Sequence, residues 1–218
     1  MKNYVITILG NDKSVEAAER CITSAEVTGM PVEKFPAITP QNSNLEALIA
    51  EKKINKEGLY EKYSRPENCV AAFLSHFHLW EMCVRDNVEY TIFEHDAIVL
   101  DPIPNFINYE GCINLGKPSY GRWNDPLKLG VNPLTSKAYF PGAHAYRLKP
   151  AAARLFIQEA RMMAKPTDVF LHIKTFPFLE EYYPWPVEAH DSFTTIQNKN
   201  GIQAKHNYKR LGDKYEIL

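Results

Sequence analysis

The chain has 218 residues and a mass of 25.0 kDa, which suits one substantial domain or two cramped ones. Its composition, 45% hydrophobic and 12% aromatic, is that of a globular protein and excludes wholesale disorder. The 25 Lys and Arg residues against 26 Asp and Glu give a net charge of −1. The chain therefore lacks the basic surplus that binding to nucleic acid or an anionic membrane requires.

Nothing in the sequence predicts export or membrane insertion. The apolar stretch Tyr4–Leu9 is too short for a secretion signal, and no run approaches the ~18 apolar residues of a spanning helix. The four cysteines have neither metal-site spacing nor the density of a disulfide scaffold, and we expect reduced core thiols at Cys21, Cys69, Cys83 and Cys112. The sequence predicts a cytoplasmic protein without a transmembrane segment.

The first elements alternate in type. Tyr4–Leu9 predicts a strand that Gly10 ends, Ser14–Glu26 has helical periodicity, and Pro31–Ile38 predicts a second strand. Strand, helix and strand in this order are typical of an α/β fold. The polar, Lys- and Glu-rich segment 41–63 predicts an excursion from the domain, with a weak helix inside it.

The clearest helix is predicted next. Ser64 and Glu67 have the spacing of a capping box, with Pro66 tolerated in the first turn. Steps of three and four residues predict one buried stripe, formed by Val70, Phe73, Phe77, Trp80 and Val84. Asp86 and Asn87 end the helix.

The second half of the chain continues the α/β pattern. Tyr90–Leu100 is apolar on both faces, as a central parallel strand is. After it we predict a strand at 112–115, a loop over 116–141, a strand at 143–148, a helix opened by Pro150, a short helix at 166–174 and a wrapping tail over 178–218. We predict a single α/β domain over residues 1–218.

The tripeptide Glu94-His95-Asp96 interrupts that apolar strand. A buried carboxylate is costly unless it is paired, hydrogen-bonded or metal-bound. Strand alternation places Glu94 and Asp96 on one side, near the carboxyl end where ligands bind in open α/β sheets. Two carboxylates there suit Mg²⁺ or Mn²⁺ shared with a diphosphate. The alternative is that Asp96 caps a turn while Glu94 pairs with a lysine.

An ordered series of motifs resembles glycosyltransferase family 25, which includes bacterial lipooligosaccharide galactosyltransferases and procollagen galactosyltransferases. Residues 67–76, Glu-Asn-Cys-Val-Ala-Ala-Phe-Leu-Ser-His, are followed by a helix with Trp80 and an apolar strand that ends in Glu94-His95-Asp96. Residues 143–155 and 166–171 resemble later blocks of the family. The resemblance covers roughly residues 64–196.

Three features depart from the family pattern. An Arg pair usually follows the first strand, where this chain has Asn11-Asp12-Lys13. His95 replaces the middle acid of a Glu-Asp-Asp motif, and segment 41–63 matches nothing in the family pattern. These departures bear on nucleotide recognition and on metal dependence.

The resemblance implies a GT-A fold, a Rossmann-like α/β domain with a mixed, mainly parallel sheet that binds a nucleotide sugar, commonly a UDP-hexose. Family members invert the anomeric centre, which requires a general base for the acceptor hydroxyl and stabilisation of the diphosphate leaving group. We therefore expect transfer of a hexose such as galactose to a glycan-like acceptor, with Mn²⁺ or Mg²⁺ as the cofactor. The alternative is a catalytically silent nucleotide-sugar or glycan-binding module on the same fold.

Under this resemblance the site residues take distinct roles. Glu94 and Asp96 are the expected metal and diphosphate ligands, and Asp168 is the expected base, with a helix N-cap as its alternative role. We expect the nucleotide sugar to be bound also by Thr7, Leu9, Ser75 and His76. For His76 a hydrogen-bonded supporting position is favoured over a metal ligand, since His76 and His78 point in different directions on a helix.

The remaining candidates are weaker. Tyr120 and Trp123 offer aromatic faces for an acceptor sugar, and the alternative is that Trp123 anchors its loop to the core. Late residues often return to the metal in this fold, which makes candidates of His190, Asp191 and His206. His95, between the two acids, favours a structural role. No phosphate loop, dinucleotide fingerprint or nucleophile elbow is present, so kinases, Rossmann dehydrogenases and α/β-hydrolases lose support.

Overall fold

Strands and helices alternate through the computed structural model, which describes residues 1–190, 193–199 and 216–218. The helices are α1 Asp12–Val27, α2 Leu45–Lys52, α3 Pro66–Asp86, α4 Pro150–Met163 and α5 Thr167–Phe170, with a 3₁₀ turn at Glu57–Leu59. The strands are β1 Lys2–Thr7, β2 Glu33–Pro36, β3 Tyr90–Glu94, β4 Ala97–Val99, β5 Cys112–Asn114, β6 Gly130–Pro133, β7 Ala145–Leu148, β8 Leu179–Tyr183, β9 Val187–Ala189, β10 Phe193–Thr194 and β11 Glu216–Ile217.

The main sheet has seven strands in the order β2-β1-β3-β7-β5-β8-β6. β2, β1 and β3 are parallel, β7 is antiparallel to both its neighbours, and β6 is antiparallel to β8. Five of the seven strands therefore run in one direction. This arrangement confirms the predicted α/β class with a mixed, mainly parallel sheet.

Two apolar cores cover the two faces of the sheet. The larger core holds the predicted stripe of α3, of which Val70, Phe73, Phe77 and Trp80 are buried and Val84 is partly buried. The smaller core places α1 against β4 through Ala18, Cys21 and Ala25. The 3.6-residue period of both helices thus gives each one an apolar side to bury.

The predicted capping box at Ser64 is wrong. Arg65 is the N-cap residue of α3, no side chain caps the helix there, and Pro66 occupies its first turn. Ser64 is instead drawn into a backbone bridge with Gln197, which keeps it outside the helix. A tertiary pairing therefore overrides the local capping pattern.

The predicted continuous strand Tyr90–Leu100 is also wrong. β3 ends at Glu94, and a turn separates it from β4. β4 pairs with β9 in a separate two-stranded sheet, with Ala97 opposite Ala189. β3 and β4 are both apolar on their two faces. The hydrophobic pattern therefore does not show that a turn separates the two strands.

Two other segments contain more regular structure than predicted. Within 41–63, Ile49, Ile54 and Leu59 are buried in the larger core. The predicted loop 116–141 supplies the edge strand β6, and the predicted wrapping tail supplies β8 inside the main sheet.

Across the described residues, no helix is both long and apolar enough to cross a membrane.

Candidate active site

A cavity of about 820 Å³ opens at the edge of the sheet where the parallel strands β1 and β3 end. Its lining includes the residues after β1, the loop after β2, one side of α3 and the turn after β3. Segments 166–169 and 193–197 also line it. The edge at which the sequence predicted ligand binding therefore coincides with a cavity of ligand size.

Glu94, at the end of β3, is held by a buried chain of hydrogen bonds. Its Oε1 lies 3.2 Å from Nε2 of His76, whose Nδ1 lies 2.9 Å from the hydroxyl of Tyr146. Nε1 of Trp80 donates to the same hydroxyl at 2.9 Å. Because the Tyr146 oxygen accepts from Trp80, the Tyr146 O–H is assigned as the donor to Nδ1 of His76. The ring proton of His76 is then on Nε2, and Nε2–H donates to the Glu94 carboxylate.

His76 is neutral in this chain. The side chain is 1% exposed, and burial lowers the pKa of His76 to about 3, against a smaller opposing effect of Asp168. A neutral imidazole with a proton on Nε2 donates one directed hydrogen bond to a carboxylate. The supporting position favoured from the sequence stays a prediction, and this contact places His76 where it can orient Glu94.

Asp96 and His95 occupy the turn between β3 and β4. Asp96 lines the cavity, and its backbone oxygen accepts from the backbone N–H of His190 at 2.7 Å. His95 Nδ1 lies 3.0 Å from Oγ of Ser14 in α1, and its ring stacks on Phe193. Burial lowers the pKa of His95 to about 4, so it is neutral near pH 7. These contacts give His95 a structural role.

Asp168 lies in segment 166–169, which forms part of the cavity wall. Its Oδ2 accepts a short hydrogen bond from the hydroxyl of Tyr120, and its Oδ1 accepts from the backbone N–H of Val169 at 2.8 Å. Burial raises the pKa of Asp168, while these hydrogen bonds oppose the increase. A fixed carboxylate with a raised pKa is a stronger proton acceptor than an ordinary aspartate.

The alternative role of Asp168 as an N-cap is wrong. α5 begins at Thr167, its N-cap residue is Pro166, and no side chain makes a capping hydrogen bond. Within that helix turn the Asp168 carboxylate accepts from the backbone N–H groups of Val169 and of Asp168 itself. Its main side-chain partner is Tyr120, 48 residues earlier in the chain.

The other predicted nucleotide-binding residues divide into two groups. Leu9 lines the cavity and is 57% exposed, which leaves its side chain open to a ligand. Thr7 is fully buried, and its hydroxyl donates to Val5 O rather than toward the cavity. Ser75 lines the cavity, but its hydroxyl donates to Ala71 O and accepts from the N–H of Ile38, so it holds the loop after β2.

The residues predicted to bind the acceptor, and the candidates late in the chain, lie in different places. Tyr120 lines the cavity, whereas Trp123 is half-buried outside the lining. His190 Nε2 lies 3.2 Å from Oε2 of Glu188, so its side chain is engaged there. Asp191 and His206 lie outside the described residues.

Sequence reasoning missed several residues of the lining. Glu61 and Tyr63 come from the segment predicted as an excursion, and Arg65 and Asn68 come from the start of α3. His144 is 1% exposed, and neither of its ring nitrogens has a hydrogen-bond partner of ordinary geometry. The available signal for His144 was an unusual His in the apolar run 143–148, and for Asn68 its place in the block 67–76; Glu61, Tyr63 and Arg65 had none.

The cavity is acidic. Among the described residues that line it, four carboxylates stand against the single guanidinium of Arg65, which gives a formal charge of −3: Glu61, Glu94, Asp96 and Asp168. Arg65 itself donates to backbone oxygens of Leu218 and Thr194. A diphosphate would meet repulsion in this lining unless a cation accompanied it.

The carboxylates of the lining are of the type that binds a divalent cation. In the described part of the chain, no three His, Cys, Asp or Glu side chains are grouped to hold a metal ion. Mg²⁺ is commonly bound by one or two carboxylates together with substrate phosphates and water, and Mn²⁺ also prefers oxygen ligands. Glu94, at the end of β3, and Asp96, in the turn after it, both line the cavity and supply the two carboxylates of that donor set.

Comparison with known families agrees with this geometry. The sequence model of glycosyltransferase family 25, described as LPS biosynthesis protein, matches residues 1–128, more than half of the chain. The chain therefore belongs to glycosyltransferase family 25, and the family assigns it a glycosyltransferase role in lipopolysaccharide biosynthesis. A search of curated proteins found no match. The matched range includes Glu94 and Asp96, whereas Asp168 lies beyond it.

Proposed function

We propose that the protein is an inverting hexosyltransferase that uses a nucleotide diphosphate sugar, UDP-linked, and a glycan-like acceptor. Galactose is the first hexose to test. The proposal includes Mn²⁺ or Mg²⁺ as cofactor and a cytoplasmic location, the latter supported by four buried, unbridged cysteines. The observation that carries the proposal is one cavity lined by the Glu94 and Asp96 carboxylates and by a separately held Asp168.

Donor binding is assigned to the part of the cavity where strands β1 and β3 end. Glu94 and Asp96 would hold the divalent cation, and His76 would keep the Glu94 carboxylate in place. When bound, such a cation supplies electrostatic stabilisation of the departing diphosphate. The acidic lining supports this assignment, because a diphosphate needs compensating positive charge there.

Acceptor activation is assigned to Asp168. As the acceptor oxygen forms its bond to the anomeric carbon, the carboxylate takes the hydroxyl proton, and the bond from that carbon to the diphosphate oxygen breaks. Attack on the face opposite the leaving group inverts the centre. Tyr120 and the Val169 N–H hold the two carboxylate oxygens, so Asp168 enters the reaction already oriented.

Calorimetry tests the donor half of the proposal. UDP, GDP, CDP and ADP would be titrated into the protein with Mn²⁺, with Mg²⁺ and with a chelator. We expect UDP to bind most tightly and only with metal present, because the carboxylates and the diphosphate share the ion. Equal UDP affinity in the chelator would remove the metal from the proposal.

Transfer itself is tested by proton NMR of the product. A nucleotide sugar with an axial anomeric bond should give an equatorial linkage, and galactose should transfer from UDP-galactose to an acceptor glycoside. Retention of configuration would contradict the inverting mechanism. Binding of the nucleotide sugar without turnover on any acceptor would instead favour the catalytically silent binding module.

A further inference from the structure

Tyr63 is an exposed aromatic residue at the cavity. It lines the cavity, yet its side chain is 48% exposed, and Nζ of Lys62 lies 4.7 Å from the ring centroid. A cation over one face of a phenol ring leaves the other face available to a ligand. An aromatic side chain offers a large, flat contact area at such a position.

The backbone around Tyr63 is held firmly. The backbone N–H of Asn198 donates to Tyr63 O at 2.9 Å, and its side-chain amide donates to Lys62 O at 2.8 Å. On the other side, the N–H of Arg65 donates to Ile196 O at 2.8 Å. Segments 62–65 and 196–198 therefore pair, and Tyr63 stands on a fixed part of the wall.

The surroundings of Tyr63 connect it to the proposed base. Glu61, two residues earlier, also lines the cavity. Burial raises the pKa of Glu61, and the charge of Asp168 raises it further, so the two carboxylates lie within electrostatic range. Tyr120, which donates to Asp168, lines the same region. An acceptor whose hydroxyl reaches Asp168 therefore occupies the same cavity that Glu61 and Tyr63 line.

We propose that Tyr63 and Glu61 form an acceptor subsite for an uncharged pyranose, whose apolar C–H face packs on the Tyr63 ring. Glu61 accepts hydrogen bonds from hydroxyls of the same sugar. This subsite rests on the proposed transferase function, since it explains how an acceptor hydroxyl is brought to Asp168. The acidic lining selects against phosphorylated or carboxylated sugars, because like charges repel in a partly buried site.

Tyr60 provides a matched control. It lies three residues earlier, is 54% exposed, and has Nζ of Lys56 at 5.9 Å from its ring, but it does not line the cavity. Tyr60→Ala therefore removes a similarly exposed tyrosine beside a lysine from a position outside the cavity lining. Tyr63→Phe is the second control, because it keeps the stacking face and removes only the hydroxyl.

Saturation-transfer NMR tests the subsite directly. Methyl β-galactoside, methyl β-glucoside and lactose would be presented to the parent protein and to the variants Tyr63→Ala, Tyr63→Phe and Tyr60→Ala. Each is measured with and without UDP and Mn²⁺. We expect at least one sugar to bind the parent and Tyr63→Phe, with affinity about tenfold lower in Tyr63→Ala, a factor typical of losing one good aromatic contact. Tyr60→Ala should bind like the parent.

Kinetics provide the second readout. In Tyr63→Ala the KM for the acceptor should rise about tenfold, while the KM for the donor and the slow hydrolysis of the donor stay at the parent value. Failure of the parent to bind any of the three sugars would overturn the subsite, as would unchanged sugar binding in Tyr63→Ala. A parent that binds sugar through Tyr63 but never binds a nucleotide would retain the subsite and contradict only the transferase function.

Discussion

The Nε2 atom of His76 lies 3.2 Å from Oε1 of Glu94, and the same imidazole is fixed at Nδ1 by the hydroxyl of Tyr146. The chain extends to Trp80, which donates to that hydroxyl from the centre of the core. The buried side of α3 is thereby connected to a carboxylate at the end of β3. The position of Glu94 depends, through His76, on Tyr146 and Trp80, neither of which lines the cavity.

The first prediction concerns the buried hydroxyl in this chain. Tyr146→Phe leaves Trp80 Nε1–H without its acceptor and His76 Nδ1 without its donor, so the free energy of unfolding should fall by about 1–3 kcal/mol. Urea denaturation measures the change. The control is Tyr139→Phe, whose half-buried hydroxyl accepts from Lys137 and whose loss should cost less than ~1 kcal/mol. Equal losses in both variants would argue against the chain.

The second prediction concerns Asp96. Asp96→Asn should abolish most metal-assisted turnover, because an amide binds a divalent cation more weakly than a carboxylate does, while the fold survives. Steady-state rates across a Mn²⁺ titration measure this. Asp101→Asn, at an exposed site a few residues later, is the control and should leave turnover unchanged. Activity of Asp96→Asn within a few-fold of the parent would make Asp96 structural.

The third prediction separates chemistry from stability at Asp168. Asn keeps the shape and one of the two acceptor oxygens but takes no proton near neutral pH, so Asp168→Asn should transfer sugar at least ~100-fold more slowly. Nucleotide affinity should be unchanged. The parent carboxylate has a raised pKa, so its ionisation lowers stability as pH rises, and the variant should melt no lower than the parent at pH 7.

Normal transfer by a folded Asp168→Asn protein would exclude Asp168 as the base. Donor hydrolysis by water provides an internal comparison, because the base acts on the acceptor. Hydrolysis should therefore fall less than transfer does in this variant.

The fourth prediction concerns the pH profile. The hydrogen bond from Tyr120 opposes the increase in the pKa of Asp168, so Tyr120→Phe should raise that pKa further. Transfer requires the ionised carboxylate, and the acidic limb of kcat should therefore move to higher pH. Rates between pH 4.5 and 8 for the parent and the variant measure the displacement. A limb that stays in place or moves to lower pH would contradict the proposed pair.

The fifth prediction concerns stability in acid. Burial lowers the pKa of His144 to about 4, so the folded protein keeps this ring neutral while the unfolded chain protonates it near pH 6.5. The stabilising effect is complete above that pH and is lost as pH falls toward 4. Denaturation at several pH values between 4.5 and 6.5 gives the slope of the free energy of unfolding against pH. That slope should be smaller in His144→Leu than in the parent, by the equivalent of about one proton. Parallel slopes would contradict the buried, neutral assignment.

Periodicity and the alternation of strands and helices along the chain predicted most of the fold because they are local properties. The stripe from Val70 to Trp80 and the end of α3 at Asp86 follow from side-chain spacing alone. The errors at Ser64 and at the β3–β4 break arise where distant segments pair, Gln197 with Ser64 and Ala189 with Ala97. No local pattern encodes those partners.

The candidate site was only partly accessible from the sequence. Glu94 and Asp96 could be identified because acids interrupt an apolar strand, and Asp168 because it stands in a block that resembles the family. Glu61 and Tyr63 could not, since a polar segment without a motif gives no sign that it lines a cavity. The different environments of Thr7 and Leu9 likewise depend on packing that strand alternation does not specify.

The pairing of segments 62–65 and 196–198 has a consequence for engineering. The proposed donor side is formed where β1 and β3 end, whereas the wall beside Tyr63 pairs segment 62–65, from the same matched range, with residues more than 130 positions later. The two segments of that wall would thus have to be exchanged together, since each holds the backbone of the other. A chimera that replaces 57–64 and 196–198 as a pair, and keeps Phe193 stacked on His95, should accept a new glycan while keeping its original nucleotide.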